Sequence, residues 1–167
     1  MRRSPEFSTW SKWLKQSSVT TLFCTTVLTG MLLVAPTVQA AGSSDDDENA
    51  ATTDLKLVER LIYKEKYKKA VGRLEKIVKQ DKKNADAWNL LGFASRNLGD
   101  VETATTAYET ALSLNSEHLG ALEYQGELYI SIGKMAKAQS NLDRLNELCP
   151  DGCEEQQALK RALANTN

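Results

Sequence analysis

Three consecutive stretches of equal length, 51–84, 85–118 and 119–152, carry the same features in the same columns with no gap between them. The twentieth column holds Ala70, Ala104 and Ala138, and the twenty-fourth holds Leu74, Tyr108 and Leu142. The eighth holds Val58, Gly92 and Gly126, and the fifteenth holds Glu65, Gly99 and Gly133. A period of this length belongs to stacked supersecondary units, none of which buries its apolar face alone. Small residues recur where two helices must approach closely, and large apolar ones fill the space between them. Gly99 and Gly133 suit the left-handed turn that ends one helix before the next begins. Each block therefore reads as helix, short turn, helix, and the chain as an all-α solenoid of three helix pairs.

The middle block, "ADAWNLLGFASRNLGDVETATTAYETALSLNSEH", resembles the tetratricopeptide repeat, with Trp88, Leu91 and Gly92 in its first helix and Ala104, Tyr108 and Ala111 in its second. The third block keeps Gly126, Tyr129, Ala138 and the closing Pro150, but has Gln125 where leucine is usual. The first block lacks both glycines and the proline and keeps Leu57, Tyr67 and Ala70. A terminal repeat with one solvated face is commonly atypical in this way. In this family the first helices line a groove, and the resemblance implies that columns two, five, nine, twelve and thirteen point into it. Those columns place Asn89, Phe93 and Arg96 of the middle block, and Glu123, Glu127 and Ile130 of the third, on a partner-binding face. Phe93 is either an anchor for a partner or a half-buried contact to Ile130 or Ile62. With Arg96 its only basic member, this set differs from the lysine- and arginine-lined clamp of tetratricopeptide co-chaperones. A segment with apolar anchors and some positive charge suits it better.

After the third repeat, "CEEQQALKRALAN" places Ala158, Leu159 and Leu163 at helical spacing, which predicts a capping helix over about 153–164. Asp151, followed by Glu154, reads as its start signal. The repeat domain is then expected over 53–164, with repeats at 51–84, 85–118 and 119–152.

The first forty residues do not share the period. "MRRSPEFSTWSKWLKQSS" carries Arg2, Arg3, Lys12 and Lys15 against Glu6, and is followed by the apolar run "VTTLFCTTVLTGMLLVAP" and by "TVQA". This order of basic, apolar and small residues predicts a signal peptide cleaved after Ala40. An uncleaved anchor is the alternative, since the run is about as short as a spanning helix can be. Arg2-Arg3 stands too far from the run for a twin-arginine signal, and Cys24 follows bulky Phe23 rather than a lipobox. Both readings export the rest of the chain to the periplasm or beyond. "AGSSDDDENAATT" then reads as an acidic flexible spacer over 41–52.

The exported portion carries two cysteines, Cys149 and Cys153, in "LCPDGCEE". An oxidising compartment favours a disulfide that closes the junction between the last repeat and the cap. The alternative is a thiol-redox or copper-handling pair. "CPDGC" is similar to the C-P-D-x-C stretch of copper chaperones of cytochrome oxidase assembly, although there a thioredoxin-like fold carries it and a proline follows the second cysteine. The chain end also resembles small exported bacterial tetratricopeptide proteins that finish in C-x3-C-E-E and a short helix.

No catalytic constellation is legible. His118 is the single histidine and reads as a solvated loop residue; a metal centre needs several clustered ligands. Neither a cofactor nor a metal is expected. A net charge of −1 argues against a nucleic-acid binder. Charge is nonetheless uneven. Residues 51–84 hold eleven Lys/Arg and five Asp/Glu, whereas 85–118 hold one against five and 119–152 three against five. Such a polarity suits head-to-tail self-association or a partner of matching polarity. The sequence thus leads to an exported, non-catalytic module for a protein or peptide segment, without stable membrane contact once the signal is removed.

Overall fold

The computed structural model of the chain describes residues 45–166. The signal or anchor expected at 1–40, with Cys24, lies outside them. Among the described residues there are seven helices and no strand: α1 (Asp45–Tyr63), α2 (Tyr67–Gln80), α3 (Ala85–Asn97), α4 (Val101–Leu114), α5 (Leu119–Ser131), α6 (Met135–Leu148) and α7 (Glu154–Ala164). One compact unit begins at Glu48. The starts of α2, α4 and α6 at Tyr67, Val101 and Met135 are evenly spaced, and so are the ends of α1, α3 and α5 at Tyr63, Asn97 and Ser131. Both intervals equal the length of one sequence block. The period of the sequence is the period of the helices.

Local chemistry sets the helix ends. Asn84 and Asp100 accept hydrogen bonds from the amides of Ala87 and Thr103 at 2.9 and 3.0 Å and so start α3 and α4. His118 starts α5, its Nδ1 accepting from Ala121 N at 3.3 Å. It is therefore a helix cap rather than a solvated loop residue. Between the helices of each pair the chain passes through the left-handed region, at Glu65 (φ 54°), Gly99 (φ 83°) and Gly133 (φ 74°). Two of the three turns use the residue without a Cβ, and the first forces a glutamate into the same conformation.

The core lies where the recurring columns meet. Ala70, Ala104 and Ala138 are fully buried, as are Leu74 and Tyr108. Gly92 lets α3 close on Tyr108: a Cβ there would lie 2.6 Å from the ring. Gly126 has a different occupant, Leu159 of α7, again 2.6 Å from where a Cβ would stand. Gln125, in a leucine column, is buried but satisfied, because Asn141 Nδ2 donates to its Oε1 and to Leu122 O, each at 3.0 Å.

Two boundaries differ from expectation. α1 starts at Asp45, so 45–52 is helix rather than spacer; a run of acids at a helix start complements the helix dipole, and Ala50 and Ala51 are strong helix formers. At the other end, Asp151 is not the cap of α7. Cys153 holds that position, with no side-chain hydrogen bond. Cys149 caps α6, and Gly152 (φ 90°) makes the reversal between them. The Cα atoms of Cys149 and Cys153 are 5.7 Å apart, a separation at which two sulfurs bond without backbone movement.

Candidate interaction groove

Helix α3 presents Asn89, Phe93 and Arg96 at successive helical turns, so the three share one face. Helix α5 presents Gly120, Glu123, Tyr124 and Glu127 in the same way. The two faces meet in three rungs. Asn89 lies against Gly120, its Nδ2 3.4 Å from where a Cβ would stand. Phe93 packs on Tyr124 with ring centroids 4.9 Å apart and planes tilted by 57°. Arg96 Nη1 pairs with Glu127 Oε2 at 2.6 Å. Asn89 with Gly120, Phe93 with Tyr124 and Arg96 with Glu127 are all separated by the same interval in sequence, which falls short of the repeat period. A residue on α3 therefore faces the one that stands almost a helical turn before its repeat equivalent on α5.

This register explains where each expected site residue falls. Asn89, Phe93, Arg96, Glu123 and Glu127 come together; Ile130 does not. Its counterpart in the same register is Gly99, beyond the end of α3, and Ile130 instead packs on the Leu122, Leu142, Leu145 and Leu159 cluster that α7 completes. Phe93 is not an exposed anchor: it is 5% exposed, held by Tyr124 and by Tyr67 of α2 at 6.3 Å between centroids. The sequence reading did not place Tyr124 or Glu155 beside this face, and it named Tyr67 and Tyr108 only as residues of the repeat pattern. Comparing the two helices with an offset almost one turn short of the period would have exposed the Phe93–Tyr124 pair.

The electrostatics of this face are lopsided. Arg96 lies over the rings of Phe93 and Tyr124, 5.6 and 5.8 Å from their centroids. Burial works against its charge, but Tyr108, Glu127 and Tyr124 around it hold its pKa above the ordinary value. The carboxyl of Glu123 is pushed up to about 9, first by burial and then by Glu127 and Glu155; Arg96 opposes the shift. Glu154 adds to the crowding of negative charge. Beneath this cluster stands Tyr108, fully buried, whose ring passes beside Gly92. Burial raises the pKa of its phenol, on which Arg96, Tyr124, Glu127 and Glu123 also act. Among the described residues neither the Tyr108 hydroxyl nor Asn89 Oδ1 has a hydrogen-bond partner, although both are buried.

At the edge of α3, Asp86 Oδ1 lies 3.1 Å from His118 Nε2. Its carboxyl is held below the usual range by the hydrogen bond with His118, although burial opposes the shift. Because His118 Nδ1 accepts the cap hydrogen bond, a neutral imidazole here carries its proton on Nε2.

Residues 85–118, the span of α3, α4 and the loop after them, match the family model described as tetratricopeptide repeat. The flanking helix pairs repeat that unit at the same spacing. This is a tetratricopeptide-repeat protein. Its repeats are similar to mouse Superkiller complex protein 3, 34% identical over 77 residues, which is 46% of this chain and 5% of that protein. The chain thus spans about a twentieth of the length of the curated relatives it matches. Among solved structures, MamA is 26% identical with a TM-score of 0.61, over 72% of this chain and 70% of that one. The first tetratricopeptide domain of Spaghetti, solved with the HSP90 peptide SRMEEVD, is 20% identical with a TM-score of 0.61, over 69% of this chain and 91% of that one. Such likenesses establish the helix-pair fold that the tetratricopeptide protein shares with them.

Proposed function

We propose that this tetratricopeptide protein is an exported, non-catalytic interaction module that holds one segment of a partner protein along the α3–α5 face, within an envelope assembly. The observation that carries the reading is the convergence of Asn89, Phe93, Arg96, Glu123 and Glu127 on one face, where the Phe93–Tyr124 ring pair and the Arg96–Glu127 ion pair join α3 to α5. The Spaghetti domain, of similar fold, was solved with a peptide bound, which supports a segment as the occupant. Export rests on the order of residues 1–40, and in the exported protein Cys149 and Cys153 form a disulfide that ties α7 to α6.

Site-directed photo-crosslinking tests the groove. A crosslinker at position 127 is expected to trap one discrete adduct in the envelope fraction, whereas one at Asp143, exposed on the outer helix α6, is not. Equal labelling from both positions, or none from 127, refutes the groove. Sequencing the N-terminus of the recovered protein tests export: the expected first residue is Ala41.

A further inference from the structure

We propose that the outer face of α2 is a docking surface for a bilayer rich in anionic phospholipid, a reversible contact separate from the α3–α5 groove. Helix α2 buries Ala70, Leu74, Ile77 and Val78 and turns its other side to solvent. That side carries Lys68, Lys69, Arg73, Lys76 and Lys79, all exposed, against Glu75, the one acid of the helix. Their spacing returns them to one side at each helical turn, so the five cations form a band along a helix about 20 Å long. The turn before α2 adds exposed Lys64 and Lys66, and the loop after it adds exposed Lys82 and Lys83. Among the described residues the ion pairs are Arg96 with Glu127 and His118 with Asp86, so none of these nine cations is in one. The repeat pattern does not require the band. The corresponding helix α4 has no lysine or arginine, and α6 carries Lys137 and Arg144 beside Asp143 and Glu147.

The make-up of the band favours a lipid surface over other polyanions. Eight of the nine cations are lysines, point charges on flexible stems that suit a diffuse layer of headgroups. The planar arginine fork that grips nucleic-acid phosphate occurs once, at Arg73. Tyr63, 68% exposed and the most exposed large apolar side chain of the described residues, stands beside Lys64 at the turn from which α2 starts. Tyrosine is enriched at the level of bilayer headgroups, where its ring and hydroxyl meet apolar and wet surroundings. Chain order agrees: the basic repeat is the one that follows the apolar run of 19–36, which the export reading holds at the membrane. A second copy fits less well, because the exposed acids of α4 are Glu102 and Glu109, too few to meet nine cations.

Co-sedimentation of the exported protein with lipid vesicles tests the inference. Phosphatidylcholine vesicles with about 30% phosphatidylglycerol are expected to carry the protein down in about 0.1 M salt and to release it in about 0.5 M. Vesicles of phosphatidylcholine alone should not bind it. The Lys69→Glu/Arg73→Glu/Lys76→Glu variant, altered only at exposed positions and checked for unchanged helicity, should bind the anionic vesicles about a hundredfold more weakly. The Lys134→Glu/Lys160→Glu/Arg161→Glu variant makes the same change in net charge away from α2 and should keep most of the binding. Equal loss in the two variants, or equal binding to the two kinds of vesicle, overturns the inference. An absence of vesicle binding also overturns it, whether the band then proves to pair with a second copy, seen as dimers that the first variant does not form, or with a DNA duplex.

Discussion

Replacing Glu123 with glutamine is expected to stabilise the protein, by an amount that grows with pH. In the folded state the Glu123 carboxyl is pushed up to about 9, from 4.5 in a solvated chain. The folded protein thus holds this proton more tightly than the unfolded chain does. Linkage then fixes the sign: the wild type is at full stability below pH 4.5 and loses stability as pH rises from there toward 9. Each pH unit between those limits costs about 1.4 kcal/mol. At pH 7, well above 4.5, the loss is about 3 kcal/mol, an upper limit because local rearrangement and water entry relieve part of it. Glutamine keeps the shape and cannot ionise. Urea unfolding of both proteins, followed by circular dichroism at pH 5, 7 and 8.5, measures the difference. The two stabilities should be close at pH 5 and diverge in favour of Glu123→Gln at pH 7 and above. Curves that run parallel across the range would refute the crowded, water-poor carboxylate cluster.

Three further outcomes follow from the packing and the turns. Gly92→Ala drives a Cβ to within 2.6 Å of the Tyr108 ring and should cost about 2 kcal/mol in thermal unfolding, part of it recovered by adding Tyr108→Leu. Glu65→Gly relieves the left-handed glutamate (φ 54°) and should raise stability by about 1 kcal/mol; no gain would mean that Glu65 holds the turn by contacts of its own. Cys153→Ser opens the short loop to Cys149 and should lower stability by about 2 kcal/mol without reductant. Reductant should lower the wild type equally and leave the variant unchanged, whereas a wild type indifferent to reductant has free thiols.

The solenoid was legible because small and large residues recur at a period that helices of this length reproduce; Gly99, Gly133 and the cap at Leu159 all stand where the pattern put them. The groove was legible only in part. Column positions put Asn89, Phe93, Arg96, Glu123 and Glu127 on one face, because residues at one height on successive first helices share a face. They did not give the neighbours, since α3 and α5 meet in a register that is almost one helical turn short of the repeat. Phe93 looked unemployed for the same reason: its contacts, Tyr124 and Tyr67, belong to other columns and another helix pair. The start of α1 was hidden because a run of acids reads equally as a solvated spacer or as the first turn of a helix, and only the chain that follows decides.

The notch at Gly126 makes the repeats unequal in independence. In the middle repeat the corresponding notch at Gly92 is filled by Tyr108 from its own second helix. In the third, the column of Tyr108 carries Leu142, and the notch is filled from α7 by Leu159. The third helix pair is therefore incomplete until a helix beyond its own second one has arrived. During synthesis it can close only after α7 has emerged, and under load it should be the place where opening starts. Glu155, whose charge acts on Glu123, stands on that same helix, so a loosened α7 eases the crowding of acids around Glu123 as it uncovers the core.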